Sequence, residues 1–180
     1  MTYDPFQRGP HPVGVISASW PDTRHQHPLE VEIWYPAAAS CTGQDLDAAT
    51  MDRFVVPGLS GKEGSTAVQS AVRNAEALSE KRHAVLLVHG FAGHRRESTF
   101  MGTHLASHGY LVVSADHQGS TYPDIDTLVR TNREQGEREF SRADIMPDLI
   151  EGRRRDITMM IDAVMERYHI EVDLGITGAS

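Results

Sequence analysis

The chain holds a single cysteine, Cys41, among 180 residues. No internal disulfide is available to it, and cytosol is the default location for a chain so built. Basic residues are in the minority as well, with 17 Lys and Arg against 25 Asp and Glu and a formal net charge of -8. Nucleic-acid binding asks for a basic face, so no nucleic-acid partner is expected. No stretch approaches the ~18 apolar residues of a membrane span. The opening Met1-Thr2-Tyr3-Asp4-Pro5 lacks the basic start and the apolar core of a signal peptide. Internal repeats and low-complexity tracts are missing too. What remains is 39% hydrophobic, enough for one globular domain with a sizeable core.

Three apolar runs organise the chain. Ala84-Val85-Leu86-Leu87-Val88 is a short buried run that opens into the glycine-rich His89-Gly90-Phe91-Ala92-Gly93-His94, a central strand followed by a loop. Ser98 to His108 has helical character, with Phe100, Met101, Leu105 and Ala106 on one side, and Gly109 stops it. Tyr110 to Ala115 resumes as a second buried strand ending at Asp116-His117-Gln118-Gly119-Ser120. Strand, loop, helix and strand make a parallel unit. The third run, Leu174-Gly175-Ile176-Thr177, leads into Gly178-Ala179-Ser180, the first three residues of a Gly-x-Ser-x-Gly nucleophile elbow.

In this order the motifs resemble the α/β-hydrolase superfamily, in the branch of platelet-activating-factor acetylhydrolases, polyester hydrolases and dienelactone-hydrolase-like esterases. Val88 to Gly93 looks like that family's oxyanion loop, Leu105 to Val113 like its helix-to-strand passage, and Asp173 to Ser180 like its elbow strand. Arg8 to Val15 and Leu29 to Pro36 resemble the opening strands. The second of these alternates, with Leu29, Val31, Ile33 and Tyr35 on one face and Glu30, Glu32 and Trp34 on the other, as a half-buried strand does.

The resemblance implies an α/β fold with a mostly parallel sheet flanked by helices. It also implies acyl transfer without a cofactor or metal. Ser180 would attack an ester carbonyl, and the backbone N–H of Phe91 would be one oxyanion donor. Gly90, Ala92 and His117 would border the substrate, and Gly178 and Ala179 would shape the elbow. The acid and histidine of such enzymes follow the nucleophile. Residues 1–180 would then be the N-terminal part of a single domain, completed by a C-terminal remainder in the same or a second chain. Ala179 replaces the bulkier residue of many relatives, and a serine nucleophile disfavours dienelactone hydrolases proper, which use cysteine. Two other readings stay open. In one, a cut after Ser180 leaves a two-chain hydrolase or acyltransferase whose second chain supplies an N-terminal nucleophile. In the other, the chain is a non-catalytic binding module.

The intervening stretches are less defined. Ala37 to Thr50, with Cys41 and Gly43, reads as a surface loop. Ala67 to Glu80 shows a helical stripe of Ala67, Val68, Ala71, Val72, Ala75 and Leu78. Gly119 to Pro147 is a long charged loop expected to border an active-site mouth. A helix follows, with Asp148 and Glu151 as a capping box and Ile150, Ile157, Ile161, Val164 and Tyr168 lining the sheet. His25-Gln26-His27 offers two imidazoles without a third metal ligand. Arg153-Arg154-Arg155 reads as a solvated face paired with Asp148, Glu151 and Asp156. At His117 a structural hydrogen bond competes with ligand contact, because ligands collect at the carboxyl ends of parallel strands.

Overall fold

The computed structural model describes residues 7–21, 27–58, 63–136, 141–168 and 170–178. Along the chain these form β1 (Val13–Trp20), β2 (Leu29–Pro36), β3 (Asp52–Val56), β4 (Ser65–Gln69), β5 (Val72–Arg73), β6 (Arg82–Val88), α1 (Thr99–Ser107), β7 (Leu111–Ala115), α2 (Tyr122–Glu134), α3 (Arg142–Arg167) and β8 (Ile170–Gly178). A six-stranded sheet runs in the order β5-β1-β2-β7-β6-β8, and β3 and β4 make a separate hairpin. β6 lies parallel to both β7 and β8, whereas β2 is antiparallel to β1 and β7.

The sheet is covered on both sides, which is why β6 and β7 are continuous apolar runs rather than alternating ones. On one face Val31, Ile33, Leu86 and Val113 meet Met160 and Val164 of α3. On the other, Val15, Trp34, Leu87 and Val112 meet Ala106 of α1. Two-sided burial corrects the half-buried reading of β2. Trp34 is a core residue, and Glu32 is also fully enclosed. Burying a carboxylate is costly unless it is paired. Glu32 accepts from Ser17 Oγ at 2.7 Å and forms ion pairs with Arg73 at 2.8 Å and Arg96 at 3.1 Å.

α1 and its stop are as expected, with Gly109 at φ 101°. Phe100, however, is 71% exposed and takes no part in the apolar face. The expected helix over 67–80 is absent; β4 and β5 occupy that stretch. Side-chain partners outside the segment hold it extended. Gln69 accepts from Trp34 Nε1 at 2.6 Å and donates to Asp52 at 2.7 Å, and Arg73 donates to Asp52 from two nitrogens.

Ala37 to Thr50 contains two short 3-10 turns, and both Cys41 and Asp45 are buried. Asp45 accepts from the Val13 amide at 2.8 Å and pairs with Arg8. The segment is a packed corner of the fold rather than a free surface loop.

The charged stretch 119–147 is not a loop. Thr121 and Asp124 form a capping box that starts α2, with a proline in its first turn. Ser141 and Asp144 form another at the start of α3. The cap expected at Asp148 therefore falls inside α3, beyond Pro147, which the helix accommodates. Ile150 is exposed, whereas Val164 is enclosed and Ile161 and Tyr168 pack against the core.

Candidate active site

β6, β7 and β8 run parallel, so the segments that follow them leave from one edge of the sheet. Leu87 pairs with Ser114 and Thr177, and Val88 pairs with Gly178. The His89-Gly90-Phe91-Ala92 loop, the Asp116-His117 turn and the exit of β8 are neighbours for that reason.

The loop after β6 is tightly bound. His89 Nε2 accepts the His117 amide at 3.0 Å, so the ring proton resides on Nδ1, which donates to the Gly90 carbonyl at 2.8 Å. Arg153 Nη2 also donates to that carbonyl, at 3.3 Å, and the Gly93 amide does so at 3.4 Å. The Gly90 amide donates to Glu97 at 3.2 Å. Ala92 holds φ 59°, a left-handed conformation that a residue with a Cβ adopts only under constraint. Its amide donates to the Ser120 carbonyl at 3.0 Å, and the Tyr122 amide donates to Gly93 at 3.1 Å. A Cβ on Gly93 would lie 2.9 Å from His89 Nδ1 and 2.2 Å from a Glu97 oxygen, so only glycine fits without displacing them.

Beneath this loop lies a buried polar cluster. His117 is 1% exposed, and its Nδ1 lies 3.0 Å from Asp156 of α3. Its ring centroid is 4.8 Å from that of His89, and its Nε2 has no partner among the described residues. Arg153 Nη2 donates to the buried Ser120 hydroxyl at 2.5 Å. Burial pushes His89 down to about 4, with the His117 ring and the Arg153 charge adding to the effect. Burial likewise lowers Arg153.

Of the residues expected at the site, Gly90, Phe91 and Ala92 lie together on the loop, and Gly178 ends the adjoining strand. His117 has its structural hydrogen bond, with the side chain enclosed behind the loop. Ala179 and Ser180, and His25 and Gln26 of the imidazole pair, lie outside the described residues. The arginine run divides. Arg154 pairs with Glu151 at 2.7 Å on the surface, as expected, but Arg153 turns inward to the loop. From the sequence Arg153 reads as part of a solvated face, and His89 and Ser120 carry no role of their own. One signal for Arg153 was available: it stands seven residues before Met160, on the helix face that meets the sheet.

A cleft of about 350 Å³ opens on this edge, bounded by Leu29, Asp116, Gln118, Leu149, Arg155 and Met159. A larger one, about 440 Å³, sits beside Arg82 and Leu111 at the opposite ends of the strands, away from the loop. Among the described residues no group of three His, Cys, Asp or Glu could hold a metal ion, and no helix is long and apolar enough to cross a membrane.

No protein-family model matches the chain. No curated protein matches it either. Among solved structures it is similar to a ferulic acid esterase from Streptomyces cinnamoneus, with 20% identity and a TM-score of 0.56 over 98% of this chain and 54% of that one. An S-formylglutathione hydrolase from Staphylococcus aureus aligns at 13% identity with a TM-score of 0.44, over 96% of this chain and 50% of that one. The chain thus spans about half the length of these solved structures. With its mixed sheet flanked by helices and its likeness to the first of them, the chain has the α/β-hydrolase fold.

Proposed function

We propose that the protein is a carboxylic ester hydrolase working through an acyl-enzyme on Ser180. The observation that carries this reading is the register of β6 and β8. Val88 stands opposite Gly178; along the chain the Phe91 amide is three residues beyond the first and Ser180 two beyond the second. In acyl transfer a serine adds to the ester carbonyl, and preplaced N–H donors take the charge that develops on its oxygen. The Phe91 N–H is the donor this chain would contribute. Its loop is held in a strained shape by bonds from three other segments, as a donor fixed in place before charge appears must be. The ester linkage named for the ferulic acid esterase agrees with this chemistry.

The test is hydrolysis of p-nitrophenyl acetate by the intact protein, with labelling by a serine-directed phosphonate. Wild type should turn over and be labelled, and Ser180→Ala should lose both. Equal activity in the two proteins would refute the assignment.

A further inference from the structure

We propose that Arg153 is a positioning residue that aims the Phe91 amide at the oxyanion, an inference that rests on the ester-hydrolase reading above. A trans peptide is planar, so the Gly90 carbonyl and the Phe91 N–H belong to one rigid unit and point in opposite directions. Whatever holds the carbonyl therefore orients the N–H. The carbonyl is held from the protein interior by His89 Nδ1–H at 2.8 Å, Arg153 Nη2 at 3.3 Å and the Gly93 amide at 3.4 Å. The Phe91 N–H accordingly faces away from the buried cluster.

Of these three donors, only Arg153 comes from a distant element and carries a charge. The same nitrogen bonds Ser120 Oγ at 2.5 Å, and the Ser120 carbonyl accepts the Ala92 amide at 3.0 Å. One guanidinium thus braces the loop on both sides of Phe91. The placement is poor for stability alone. Among the described residues Arg153 makes no ion pair within 4.0 Å, its Nε is buried without a hydrogen-bond partner, and burial works against its charge more than the nearby Asp156 and Glu97 carboxylates support it. A cation drawn from water onto a neutral carbonyl costs free energy. What it supplies is a polarised peptide, because a hydrogen bond at the carbonyl oxygen strengthens the N–H as a donor.

Gly90-Phe91 is the only Gly-Phe pair in the sequence. Labelling with [1-13C]glycine and [15N]phenylalanine therefore yields one carbonyl-to-amide correlation from residues 1–180. In Arg153→Lys and Arg153→Met that peak should shift, the amide nitrogen moving upfield as the carbonyl loses its guanidinium donor. Turnover of p-nitrophenyl acetate should fall by about 10- to 100-fold in kcat with KM nearly unchanged, less in the lysine variant than in the methionine one. Affinity for a trifluoromethyl ketone, whose adduct carries an oxyanion, should fall by a similar factor. The unreactive methyl ketone should bind as before.

Active variants with an unmoved peak and kcat within twofold of wild type would overturn the positioning role and leave the esterase reading standing. A wild type with neither turnover nor trifluoromethyl ketone binding would overturn both. Should Arg153→Met fail to fold, Arg153→Lys decides, since it keeps the charge and most of the stem. In wild type itself, a Gly90 carbonyl shift typical of a solvated loop would also count against the proposal.

Discussion

His89 carries the sharpest consequence at the level of single residues. Its pKa in the folded protein is pushed from 6.5 to about 4, chiefly by burial. Between those values the unfolded chain binds a proton that the native state refuses, so stability rises with pH across that window. The contribution is complete above about pH 6.5 and is lost as pH falls toward 4, amounting to about 2 kcal/mol between pH 7 and pH 5. Urea denaturation at these two pH values should show that loss in wild type and a much flatter response in His89→Gln. An equal pH dependence in both proteins would remove His89 as the cause. Gly93 yields a second expectation. A methyl there meets His89 and Glu97, the two side chains that grip Gly90. Gly93→Ala should lower thermal stability by an overpacking cost of about 1–3 kcal/mol and reduce ester turnover more than its KM changes. Nothing in the identity of these residues announces such roles; they follow from what the fold sets beside them.

Among the elements, α1 shows how closely helix and sheet approach. A Cβ on Gly102 would sit 2.7 Å from the Trp34 ring, and that ring is fixed by its bond to Gln69. Gly102→Ala should therefore push α1 off the sheet, at a cost of about 1–3 kcal/mol read as a lower urea midpoint, with a changed near-ultraviolet signal from Trp34. An unchanged midpoint would mean that helix and ring slide past one another freely. The elements legible in the sequence include β6, β7 and α1, whose pattern comes from burial against the sheet and its covering helices. α2 was missed because Ile125 is its only buried residue. Its apolar stripe of Tyr122, Ile125, Leu128 and Val129 is short and set among charged residues, and the cap Thr121-Tyr122-Pro123-Asp124 was the plainer sign. β4 was mistaken for helix for the opposite reason. Its apolar spacing suits a helix, but Gln69 and Arg73 are committed to partners on β2 and β3.

For the molecule as a whole, the Glu32 network joins the sheet to the β3-β4 hairpin. Arg73 links Glu32 to Asp52, and Arg96 spans from Glu32 to the face of Phe54 at 5.6 Å. Removing the buried carboxylate leaves two partly buried cations short of a partner, so Glu32→Ala should cost about 3 kcal/mol. Proteolysis should then cut the hairpin first, in a digest followed by mass spectrometry. Intact hairpin peptides at the wild-type rate would show that apolar contacts alone secure it. The sequence by itself determined the α/β class, the parallel unit of β6, α1 and β7, and the loop and strand that approach each other at Val88 and Gly178, because hydrophobic runs and glycine punctuation are local and survive in any context. Only the tertiary structure decided that Glu32 is buried, that residues 65–69 extend rather than coil, and that Arg153 turns inward beneath the Gly90 carbonyl. Those outcomes depend on partners 15 to 64 positions away, and a charged or polar side chain adopts them only once the folded chain has gathered donors and acceptors around it.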